Sequence, residues 1–140
     1  MSLDDHKALS RRELQMWASD NTDTPEDFLP ENYINHQESD VEGGVTVKNL
    51  DAWKDLLRGY HHGFSSSKVK VLMQIAEGDL VATRWQITAT QTGDYMGLAP
   101  TNKEVTWTGV QISRFENDKI VESWVDWDKY GLFQGLGLVK

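Results

Sequence analysis

Near its C-terminal end the chain sets carboxylates among tryptophans: Trp107, Gln111, Glu122, Trp124, Asp126 and Asp128 all fall between Lys103 and Leu138. A carboxyl against an apolar wall loses the hydration its anion needs, so its pKa climbs toward the range useful for general acid/base catalysis. Asp128 follows Trp124 and Trp127 and is the first candidate for that work. It also precedes Lys129, where an Asp commonly caps a helix, and both roles are open to it. Asp126 is the second candidate, because two neighbouring carboxylates repel and push one pKa up. A solvent-facing rim charge is the plainer reading of Asp126. Glu122 reads as structural, paired with Arg84 or another basic group on a neighbouring strand. Gln111 is placed to donate a hydrogen bond to an enolate oxygen if its face is concave.

His36 suits a pocket mouth, where it would orient a ligand or shuttle a proton; a lone turn histidine more often only satisfies local hydrogen bonds. His61 and His62, adjacent on a helix, point about 100° apart and cannot hold one ion together. With no His-x-x-x-His pair and no cysteine, no metal site is expected. No nucleophile elbow supports Ser-His-Asp chemistry, and Gly43-Gly44 and Gly97 read as turns rather than phosphate cradles. Trp53, Tyr60, Trp85, Trp107 and Trp124 are candidates to line a ligand pocket, with a tryptophan-rich core as the competing reading for most of them.

The elements that must position these groups follow from periodicity. Two alternating runs joined at Glu116-Asn117-Asp118-Lys119 predict a β-hairpin. With Phe115 and Ile120 flanking its turn, parity puts Gly109, Gln111, Ser113, Glu122, Trp124, Asp126 and Asp128 on one face with Trp107. The other face then carries Thr106, Thr108, Val110, Ile112, Val121, Val125 and Trp127.

Upstream, residues 4 to about 19 predict a helix of only fair apolar spacing. Thr24-Pro25 starts a second, short one, and Glu31 to Gln37 reads as extended or turned. Residues 38 to 48 are a loop. Asn49 caps the clearest helix, with Leu50, Trp53, Leu56, Leu57, Tyr60 and Phe64 at helical spacing. After Ser65-Ser66-Ser67 the period changes to two, with Val69, Val71, Met73 and Ile75 on one face. Leu80 to about Gln91 is a long strand, residues 93–102 are a loop, and Leu132 to Leu138 is an apolar tail. Helices followed by antiparallel strands predict an α+β domain, helices packed on one face of a curved sheet that encloses a pocket.

A chain of 140 residues with 39% hydrophobic content has room for one domain, 1–140, and one ligand-sized cavity. Its net charge of −8 without a basic cluster argues against nucleic acid and anionic membrane as partners. Lacking a secretory leader or a membrane-length apolar run, the sequence predicts a cytoplasmic protein.

Three segments together resemble the SnoaL-like polyketide cyclases of the nuclear transport factor 2-like superfamily. They are Ala76 to Trp85, Gly93 to Lys103 with its Pro100-Thr101, and Phe115 to Trp124 running on through Asp128 and Leu132 to Gly137. Asn49 to Phe64 and Asn32 to His36 resemble the family's helix and its Tyr-x-x-His turn. The resemblance implies a cone-shaped sheet with about three helices, no cofactor, and an intramolecular aldol closure of a bulky hydrophobic carbonyl substrate. It also implies that Asp128 takes a proton from beside the carbonyl and returns it to the new alkoxide. Gln91 stands where many relatives have a histidine, and Asn102 where glycine is common. A non-catalytic binder of a small hydrophobic molecule, or an isomerase or hydrolase using the same pocket, are the alternatives. Self-association as a homodimer through Val110, Ile112, Val121 and Trp127 is compatible with each.

Overall fold

The computed structural model describes residues 1–38 and 44–139. Helix α1 (Leu3–Gln15) opens with a reciprocal capping box between Ser2 and Asp5. A single 3-10 turn, Pro25–Asp27, replaces the second helix; Thr24 precedes it without giving a side-chain cap. Strands β1 (Ile34–Gln37) and β2 (Val45–Val47) follow, then α2 (Leu50–Gly63), capped by Asn49 through the amide of Ala52 at 2.8 Å. Four long strands come next, β3 (Phe64–Glu77), β4 (Leu80–Gln91), β5 (Glu104–Glu116) and β6 (Lys119–Trp127), and α3 (Lys129–Gly135) closes the chain. Gly43 and most of the acidic loop before β2 lie outside the described residues.

The six strands run in the order β2-β1-β6-β5-β4-β3, antiparallel except for the parallel β1–β6 pair. The α+β architecture expected from the sequence, helices on one face of a curved and unclosed sheet, is the one observed. Among the described residues no helix is long and apolar enough to cross a membrane.

Two of the three register shifts among the described strands decide which of the residues singled out in the sequence reach the interior. Between β5 and β6, Arg114 pairs with Glu122 but Phe115 pairs with Ile120, leaving Val121 as an extra residue. One inserted residue reverses the facing of everything beyond it. Ser123, Val125 and Trp127 therefore share the inner face with Ser113, Gln111 and Gly109, while Glu122, Trp124 and Asp126 pair with Arg114, Ile112 and Val110 on the outer face. Simple alternation across the hairpin had put these acids and Trp124 inside. A second shift between Val71 and Met73 turns Met73 and Ile75 to solvent, 56% and 63% exposed, although Val69 and Val71 pack inward.

The interior holds two apolar clusters. One gathers Phe28, Leu29, Tyr33, Trp53, Phe115 and Ile120 beneath α1 and α2. The other runs along the inner face of β4 and β5 to α3, through Tyr60, Phe64, Trp85, Trp107, Leu132 and Leu136. Trp85 lies over Gly109, its register partner on β5, and a Cβ at Gly109 would come within 2.2 Å of the indole. Val110 and Ile112 stand exposed on the outer face, whereas Trp127 pairs with Gly109 in the register of the inner one.

Candidate functional site

The second cluster is incompletely filled, and its gap is a recess between α1, α2, α3 and the sheet. Aromatic walls come from Trp17, Tyr60, Trp85, Tyr95, Trp107 and Trp127, and aliphatic ones from Leu14, Leu56, Ile87, Val125 and Leu132. Gln37 and Gln111 supply polar groups. The recess has about 550 Å³ of open space counting its mouth, but only about 50 Å³ has clearance for a water-sized group. Small-molecule pockets run to several hundred Å³, so a bulky ligand must push the walls apart. Burial pushes the Tyr60 phenol up, and its hydroxyl is tied to Ser67 at 2.7 Å.

Behind Gln111 lies Glu13, fully buried on α1. The inward stripe of α1 is His6, Ser10, Glu13 and Leu14, which explains the poor apolar spacing in the sequence. Glu13 accepts from the Tyr33 hydroxyl and, at 2.6 Å, from Gln111 Nε2. Desolvation raises its pKa to about 7, against the lowering effect of both hydrogen bonds. The network continues from Tyr33 to Asn35 Nδ2 at 2.8 Å and from Asn35 Oδ1 to Gln37 Nε2 at 2.7 Å. On the other side Gln111 reaches Ser113 at 3.2 Å, and Ser113 reaches Ser123 at 3.0 Å.

Of the residues singled out in the sequence, Tyr60, Trp85, Trp107 and Gln111 meet at this recess. Trp53 is sealed in the other cluster. Trp124 is on the outer face, stacked on His36 at 5.5 Å. His36 bonds Glu122 at 2.8 Å, and Glu122 also meets Arg114 at 3.2 Å. The hydrogen bond from His36, ahead of that from Arg114, holds Glu122 below the usual carboxylate range. His36 is thus part of an outer-face hydrogen-bonded cluster, not of the recess mouth, and the basic partner of Glu122 on the neighbouring strand is Arg114.

Asp126 and Asp128 are exposed and border an open hollow on the outer face with Arg84, Thr108 and Val110. Asp128 Oδ1 accepts from the amide of Gly131 at 2.8 Å, capping α3. A side chain at Gly131 would collide with this carboxylate at 2.1 Å, so the glycine permits the cap. Asp128 is nevertheless bracketed by two recess residues, Trp127 and Leu132.

Among the described residues no group of three or more His, Cys, Asp or Glu side chains is arranged to hold a metal ion. Sequence periodicity missed Glu13, because a carboxyl on a helix reads as a solvent-facing group. It also missed Trp17 and Gln37, whose inward turn depends on tertiary packing.

A six-stranded curved sheet with helices over one face and an aromatic recess between them is the nuclear transport factor 2-like architecture. A hypothetical protein with a ketosteroid isomerase-like fold from Catenulispora acidiphila shares it, with TM-score 0.76 at 10% identity over 94% of this chain and 93% of that one. The family model for SnoaL-like polyketide cyclase matches residues 7–136, and the chain belongs to that family. AclR, a candidate hydroxylase from Streptomyces galilaeus, superposes with TM-score 0.82 at 28% identity, covering 99% of this chain and 84% of AclR. A candidate SnoaL-like polyketide cyclase from Jannaschia sp. CCS1 gives TM-score 0.86 at 16% identity over 98% and 94% of the two chains. A search of curated proteins found no match.

Proposed function

We propose that the chain is a cofactor-independent acid/base catalyst of the cyclase type, acting on a flat, largely apolar carbonyl compound seated in the aromatic recess. The observation that carries this reading is the recess itself, walled by four tryptophans and two tyrosines, with an acid flanked by two of its lining residues. Family membership supports the reaction class. Asp128 is assigned as the group that takes a proton from the carbon beside the carbonyl and later returns it to the alkoxide formed by ring closure.

For the Asp128 carboxylate to swing into the recess, its cap on α3 must open. An N-cap bond is worth about 1 kcal/mol, which ligand binding easily offsets. Displacing this seven-residue helix would uncover its buried Leu132, and it would also widen a recess too small for a bulky substrate. Opening the mouth and freeing the carboxylate are then one motion.

The test separates capping from chemistry. Asn caps a helix as well as Asp does, so Asp128→Asn should leave the urea midpoint near wild type. It should lower turnover of a β-keto ester substrate at least 100-fold, the scale of a lost general base. A variant that keeps full turnover refutes the assignment. A second reading, non-catalytic binding of a hydrophobic metabolite, is favoured by one observation: no carboxylate lines the recess among the described residues, since Glu13 sits behind Gln111. A saturable thermal shift without consumption of any carbonyl compound would select it.

A further inference from the structure

The polar network around Glu13 fixes which way the two recess amides point, and this determines what kind of ligand they can bind. The Tyr33 hydroxyl gives its proton to Glu13, so its oxygen receives Asn35 Nδ2. Asn35 then turns Oδ1 toward Gln37, and Gln37 must answer with Nε2. Gln111 likewise spends Nε2 on Glu13 and Ser113. Turning Gln111 over would press its carbonyl against the Glu13 carboxyl. If Glu13 is protonated, it donates from the oxygen facing Tyr33 to the Tyr33 oxygen, the Tyr33 O–H turns to Ser123, and the other Glu13 oxygen still accepts from Gln111. Each amide is left with its carbonyl oxygen, Oε1, as the atom without a partner among the described residues. A third recess residue, Trp85, is buried with its indole N–H unpaired among the described residues.

We infer that Gln37 and Gln111 are specificity-determining acceptors, so that the recess selects a flat ligand bearing a free hydroxyl or enol O–H. The inference rests on the reading of the recess as the ligand site. It reverses the role that the sequence suggests for Gln111: the side chain receives a proton donor instead of giving a hydrogen bond to an enolate. Glu13 acts through it, because a carboxylate on Nε2 draws electron density onto Oε1 and strengthens it as an acceptor. A ligand whose oxygens are all methylated would leave both carbonyls buried and unpaired, a loss that costs more than a missing contact.

Isothermal titration with 2-naphthol and 2-methoxynaphthalene tests this on the intact protein. The two probes share their ring and differ in one donor. Naphthol is expected to bind at least tenfold more tightly. Gln37→Met leaves the partners of Glu13 in place and should narrow the preference, and Gln111→Met should narrow it further. Equal affinities for wild type would overturn the acceptor assignment while leaving the recess as a binding site. A tenfold preference that survives in both folded variants would show that other groups read the hydroxyl. If neither probe binds at millimolar concentration, the recess reading falls together with the inference.

Discussion

Glu13 shows how far one buried carboxyl can shape this molecule. Its pKa rises from 4.5 to about 7 on folding, chiefly through desolvation. Between those values the folded chain holds a proton that the unfolded chain has lost, so Glu13 contributes stability below about pH 4.5 that is lost as pH rises through 7. At 1.36 kcal/mol per unit the penalty above pH 7 is roughly 3 kcal/mol. Glu13→Gln keeps a neutral polar group at the site and removes the titration. Urea unfolding of both proteins from pH 5 to pH 8 should show the variant gaining on wild type by about that amount as pH rises. A constant difference across the range would mean that Glu13 is ionised throughout in the folded protein. Nothing in the sequence marks this residue, because a Glu in Arg-Arg-Glu-Leu reads as helix surface. Asp128 was more legible: its capping position was readable from Lys129 onward, and the cap is present at 2.8 Å.

At the scale of elements, the strands and the two long helices were legible because alternation and helical spacing are written in the residues. Facing was not. The bulges at Val121 and between Val71 and Met73 each insert one residue, and neither is announced by glycine or proline. Parity counted from the turn therefore failed for Glu122, Trp124 and Asp126, though it held along β5 from Val105 to Phe115. Register also explains Gly109, which faces Trp85 across the β4–β5 pair. Gly109→Ala places a methyl group where the indole lies, at 2.2 Å, so Trp85 must move or the strands must part. Overpacking of this kind costs about 1–3 kcal/mol. Chemical denaturation should report that loss, together with a changed tryptophan emission spectrum. An unchanged spectrum would mean that Trp85 does not rest on β5.

At the scale of the whole molecule, the sheet separates two environments. Its concave face carries the aromatic recess and the Glu13 network, and its outer face carries the open hollow with Arg84, Asp126 and Asp128. The sequence placed the aromatic groups and the acids together; the fold puts the sheet between them and leaves Asp128 at the junction of β6 and α3. The ordered set of family segments made the scaffold legible, whereas the location of the ligand depends on facing and on the fit of side chains. A crystal structure with 2-naphthol soaked in tests that location most directly. The ring should lie between Trp85, Trp107 and Tyr60, with its hydroxyl on Gln111 or Gln37. A ring bound instead in the outer hollow beside Arg84 and Asp128, with the recess still closed, would contradict the account.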